Sequence, residues 1–166
     1  MLRVRQVVYN FTSRFNMEKY WIRRIAVQNL KLGVRYIYYL IWLKRQESKF
    51  GCSMGTGGST HNSPSCYFSV PPSLPHGLSG IVLARNVVFE GHAVIYQHVT
   101  IAESNPEKTT YIGNNVMIGA GACILNNVRI GRNVRIGANA VVTHDVPDNC
   151  TVVGVPARIV RYRKNH

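Results

Sequence analysis

The stretch IGNNVMIGAGACILNNVRIGRNVRIGANAV, residues 112–141, returns isoleucine at every sixth position: Ile112, Ile118, Ile124, Ile130 and Ile136. Four residues after each stands a small apolar residue, namely Val116, Ala122, Val128, Val134 and Ala140. A helix needs apolar returns at three or four, and a half-buried strand needs strict alternation, so neither pattern fits alone. Six is a multiple of the strand period, so the first and fifth positions point to the same side of an extended segment. Gly and Asn between them let the chain turn, because both tolerate positive φ. The spacing therefore predicts hexapeptide repeats wound into a parallel β-helix, in which short strands bury their apolar side only by stacking coil on coil.

The phase runs back through Ile101, Ile95, Phe89 and Leu83 and forward through Val142, with Val146 and Val152 at the fifth position. Between Ile101 and Ile112 the spacing is eleven instead of six. Residues 102–111, AESNPEKTTY, thus carry an inserted loop, and such insertions often form the binding face of a solenoid. The period does not set the hand of the coil, and parallel crossovers are normally right-handed.

Upstream of the repeats the composition changes. Residues 1–48 form a basic, aromatic-rich region with helical periodicity, in which Ile22, Ala26, Leu30, Val34, Ile37 and Ile41 make one stripe opposite Arg24, Gln28, Lys31 and Arg35. Lys31 and Arg35 inside that pattern argue against a membrane span. The stripe suits packing on the same protein or a sister subunit, and equally suits peripheral contact of residues 20–45 with an anionic membrane surface. Residues 49–75 are an irregular Gly/Ser/Pro-rich segment, residues 76–160 are the β-helix, and residues 161–166 are a basic tail.

The formal charge of +13 points to an anionic partner such as a phosphorylated ligand, a membrane or nucleic acid. No nucleic-acid recognition motif accompanies that charge. The glycine run GCSMGTGG, residues 51–58, lacks the Gly-Lys-Ser/Thr ending of a phosphate loop. Cys52, Cys66, Cys123 and Cys150 show neither zinc-site spacing nor a disulfide framework, which fits reduced thiols in a cytosol and no bound metal. MLRVRQVVYNF lacks the apolar core and cleavage site of a signal peptide.

Four signals in order carry a resemblance. They are the hexads, LPHGLSGIV (Leu74 to Val82), IYQHVTI (Ile95 to Ile101) and VVGVPARIV (Val152 to Val160). Together they resemble the hexapeptide-repeat acyltransferases, in the branch of the serine acetyltransferases and the capsular polysaccharide O-acetyltransferases. The resemblance implies a left-handed parallel β-helix, a homotrimer with active sites between neighbouring prisms, and acetyl-CoA as the acyl donor. It also implies a catalytic histidine in a motif like P-H-x-x-x-G-I-V, here His76. Matching the family's pattern places Ala102, Gly119, Ala120 and Ala138 along the donor groove. Arg135 falls where the family tends to carry a basic residue facing the nucleotide phosphates, and Arg129, Arg132 and Arg158 are further candidates. Two departures bear on the acceptor. Pro75 stands where the serine acetyltransferases commonly have aspartate, and Thr109 or Thr110 stands where they often have a second histidine.

Acetyl transfer to an alcohol needs a base, because a hydroxyl is a poor nucleophile until its proton is leaving. An imidazole, with an ordinary pKa of about 6.5, suits that task near neutrality. His76 is the expected base, and backbone N–H groups at a coil corner are candidates for holding the oxyanion. His98, at an outward hexad position near the inserted loop, is the candidate acceptor contact, while His92 reads as a solvated outward residue. The expected function is an acetyl-CoA-dependent O-acetyltransferase acting on a saccharide hydroxyl in surface polysaccharide biosynthesis, at the cytoplasmic side of the membrane. The alternatives are a serine O-acetyltransferase of cysteine biosynthesis and a catalytically inactive β-helix binding module.

Overall fold

A computed structural model describes residues 17–29, 37–38, 41–45, 53–54, 66–102, 108–125 and 127–163. The hexads fold as expected, into a parallel β-helix with three flat faces. The first face stacks β1 (Ser53–Met54), β3 (Val82–Leu83), β6 (Thr100–Ile101), β9 (Cys123–Ile124) and β12 (Val141–Val142). The second stacks β2 (Tyr67–Phe68), β4 (Val87–Phe89), β7 (Thr110–Ile112) and β10 (Arg129–Ile130). The third stacks β5 (Ala93–Ile95), β8 (Val116–Ile118), β11 (Arg135–Ile136) and β13 (Cys150–Val153), and the chain closes on it with antiparallel β14 (Arg158–Tyr162).

Register explains the period. Leu83, Ile101, Ile124 and Val142 are successive partners on the first face, and Phe68, Phe89, Ile112 and Ile130 on the second. Ile95, Ile118, Ile136 and Val152 continue the pattern on the third. All twelve are buried, so the prism interior is three columns of inward side chains. Each buried Ile or Phe contributes roughly 1.5–3 kcal/mol relative to exposure. The residue just before the inward residue that precedes or opens a strand takes a left-handed backbone at most corners: Gly80, His98, Asn115, Gly121, Asn127, Asn133, Asn139 and Asn149. Asn and Gly recur there because few other residues adopt that conformation without strain.

The prism already winds upstream of His76. Strands β1 and β2 lie within the 49–75 segment and pair with β3 and β4, and Ser73 bridges to Val94 on the third face. The inserted loop, His61, Cys52 and His166 fall outside the described residues apart from the loop's ends at Ala102 and residues 108–111.

Helix α1 (Met17–Asn29) departs from the expected stripe. Ile22 is 63% exposed, and Ile37 and Ile41 are exposed in the helical residues 37–38 and 41–45. Leu30 and Val34 lie outside the described residues. The buried side is instead Met17, Tyr20, Trp21 and Arg24. The reason is Phe68, at the start of the second face and stacked on Phe89 with ring centroids 4.6 Å apart. Trp21 meets Phe68 edge-on at 5.1 Å, a favoured aromatic geometry that buries a large apolar side chain. Arg24 donates to the Cys66 carbonyl at 2.8 Å, with its guanidinium 5.7 Å from the Phe68 ring centre. No helix among the described residues is long and apolar enough to cross a membrane.

Candidate active site

Topology sorts the candidate residues by edge. Segments joining the third face to the first are 74–81, 96–99, 119–122 and 137–140. His76, His98, Gly119, Ala120 and Ala138 all lie on this one edge, in consecutive coils. Arg135 lies beside it on the third face, with its Nη1 3.0 Å from the Met117 sulfur and its side chain exposed. Ala102 does not join them within one chain. It follows β6 and begins the segment that runs from the first face to the second.

His76 rides on a turn built to hold it outward. Leu74 and Leu78 are buried beneath, the Gly77 amide donates to the Leu74 carbonyl at 3.1 Å, and the Ile81 amide donates to that of Leu78 at 3.2 Å. Gly77 and Gly80 take φ of 68° and 60°, which lets the chain reverse tightly enough to leave the imidazole exposed. The next coil supports the turn at two points. The His98 amide donates to the Ser79 carbonyl at 3.0 Å, and the His98 ring lies so close over Gly80 that a Cβ there would fall 2.2 Å from its Nδ1. The Tyr96 ring stands beside that of His76, with centroids 5.8 Å apart and planes at 40°.

Higher on the edge the corners are small because the coils touch there. A Cβ on Gly119 would fall 2.6 Å from the Ala138 amide nitrogen. The Gly119 amide donates to Ile136 at 2.9 Å, and the Asn139 amide donates to Ala120 at 2.9 Å. Small residues therefore line this stretch of the edge, with Gly119 and Ala120 half-buried and Ala138 exposed.

The remaining candidates sit elsewhere. Arg129 is 3.1 Å from Glu90, and Arg132 grips Asp148 at 3.0 and 3.2 Å, on and beside the edge joining the second face to the third. Both guanidinium groups are already partnered by carboxylates. Arg158 opens β14, with Nη1 3.0 Å from the Ala157 carbonyl. His92 is exposed, as expected of an outward position; its Nε2 is 3.0 Å from the Ser73 hydroxyl, and its amide donates to Asn114 Oδ1. Cys150 is buried and donates to the Pro147 carbonyl at 3.2 Å. Burial, and then the Asp148 charge, push its thiol up, which suits a core residue and not a nucleophile. Among the described residues no three His, Cys, Asp or Glu side chains converge as a metal site. Tyr96 was not among the residues the sequence singled out, and its place beside His76 follows from the winding of the coil.

Comparison with known proteins agrees with this architecture. The family profile "Bacterial transferase hexapeptide (six repeats)" matches residues 109–144. A serine acetyltransferase of Synechococcus elongatus is 42% identical over 90 residues, 52% of this chain and 36% of the relative. One of Buchnera aphidicola is 36% identical over 137 residues, 79% of this chain and 52% of the relative. A crystal structure of the Neisseria gonorrhoeae serine acetyltransferase superposes with a TM-score of 0.67 and 33% identity, over 87% of this chain and 54% of that one. The Brucella abortus serine acetyltransferase in complex with coenzyme A superposes with a TM-score of 0.68 and 25% identity, over 99% and 68%. The chain spans about half the length of the Buchnera relative and about a third of the Synechococcus one.

Proposed function

We infer that this chain, which belongs to the hexapeptide-repeat transferases, is an acetyl-CoA-dependent O-acetyltransferase with His76 as its general base. The observation that carries this reading is the single edge on which His76, His98 and the small-residue track of Gly119, Ala120 and Ala138 lie in successive coils. The thioester of acetyl-CoA lies at the His76 end of that track, and Arg135 faces the nucleotide phosphates. The imidazole takes the acceptor hydroxyl's proton as the oxygen attacks the thioester carbonyl. Collapse of the tetrahedral intermediate breaks the carbon–sulfur bond, and the imidazolium returns the proton to the CoA sulfur. Ala102 reaches such a groove from a neighbouring prism in a homotrimer, whose three-subunit mass would be read by light scattering.

The relatives favour L-serine as acceptor, the alternative of the sequence analysis, over its saccharide reading. A saccharide hydroxyl remains the second reading on one ground. Pro75 and Thr109 or Thr110 replace the acidic and imidazole side chains expected for holding a small charged substrate. Peripheral membrane contact accompanies it, supported by exposed Ile22, Ile37, Tyr38 and Ile41 among exposed Lys19, Lys44 and Arg45.

Free-thiol release from acetyl-CoA, measured with L-serine and a panel of sugars and oligosaccharides, separates the readings. Serine-dependent release is expected for the first, and release only with a saccharide for the second. No release with any acceptor counts against the transferase itself. Pelleting with anionic vesicles at low salt, absent in a chain lacking residues 1–48, checks the membrane contact.

A further inference from the structure

We propose that Tyr96 is a positioning residue that holds the His76 imidazole in its working orientation, an inference that rests on His76 being the base. The backbone of the 75–80 turn is fixed from below by Leu74 and Leu78, but that does not orient an exposed imidazole, whose side-chain torsions have several staggered wells. The Tyr96 ring stands beside it, 5.8 Å away between centroids with the planes at 40°, where it would limit those torsions. Tyr96 is itself well placed to act as a stop. It follows Ile95, whose side chain is buried in the prism, its amide donates to the Ile118 carbonyl at 3.1 Å, and its side chain is half-buried. Two residues on, His98 covers Gly80. The same coil therefore braces the turn at both ends, through Tyr96 at His76 and through His98 at Gly80. A base misplaced by a fraction of an ångström loses rate without losing donor affinity.

The test measures kcat and the KM for acetyl-CoA with the acceptor that gives the fastest thiol release. Tyr96→Leu removes the ring and is expected to lower kcat about tenfold, leaving that KM within about twofold. Tyr96→Phe keeps the ring and is expected to return kcat to within about twofold of the unaltered chain. In the NMR spectrum the His76 Cε1–H resonance moves in Tyr96→Leu, where the ring current is gone, and stays in Tyr96→Phe. A Tyr96→Leu chain with unaltered kcat, a change confined to KM, or a Tyr96→Phe chain as slow as Tyr96→Leu overturns the proposal. Should Tyr96→Leu fail to fold, Tyr96→Met removes the ring with a more adaptable side chain. His76→Ala separates the two claims: full activity there removes the base assignment, whereas loss there with a fully active Tyr96→Leu removes only the role of Tyr96.

Discussion

At the scale of single residues, the corners carry interactions that a hydrophobic period does not reveal. Asn115 donates to Asn133 at 2.8 Å and Asn133 to Asn149 at 2.7 Å, a ladder of left-handed residues along one edge. Asn133→Ala loses both bonds and strains the backbone, an expected cost of about 2–3 kcal/mol in chemical unfolding. Asn133→Gly relieves the strain and should cost less. Asp148 accepts from the Arg132 amide, which is the largest influence holding its carboxyl below the usual carboxylate range, and the Arg132 guanidinium adds to it. A carboxyl lowered in the folded state contributes stability that is complete above its unfolded value of about 3.9 and is lost as pH falls through the folded value. The stability gap between the unaltered chain and Asp148→Asn should therefore stay constant from pH 7 to about pH 5 and close below about pH 4. A gap that widens on acidification would contradict the assignment.

At the scale of elements, packing decides which face a helix buries. The α1 sequence offers an aliphatic stripe through Ile22 and Ala26, yet the prism presents Phe68, and Trp21 takes it. That choice was not legible, because an apolar pattern marks a candidate face without telling which side chains fit the surface the prism presents. Trp21→Ala is expected to cost about 3–5 kcal/mol and Ile22→Ala within about 0.5 kcal/mol, read from urea unfolding midpoints. Comparable losses at both would mean that the Ile22 side is covered in the assembly. The strands were far more legible. A six-residue return of Ile with a small residue at the fifth position leaves one way to bury every inward side chain, and the registers on all three faces follow it. Corner glycines were legible as turn formers, but not as contacts between coils: Gly119 has no room for a methyl against the Ala138 backbone.

At the scale of the whole molecule, winding brings together residues that are distant in sequence. His76 and Ala138 share an edge because each coil returns the chain to it, whereas Ala102, only a few residues after His98, has already left for the next edge. Period alone gave the columns, and the resemblance in LPHGLSGIV singled out His76 among six histidines. Its Tyr96 neighbour emerged only from the folded coil. On this edge, in the reading proposed above, an acetyl group passes from CoA to the acceptor. Acceptor-dependent release of CoA by His76→Ala tests it most directly, with circular dichroism confirming an intact β-helix. A fall of about a hundredfold or more is predicted for loss of a general base, and turnover within about tenfold of the unaltered chain would contradict the claim.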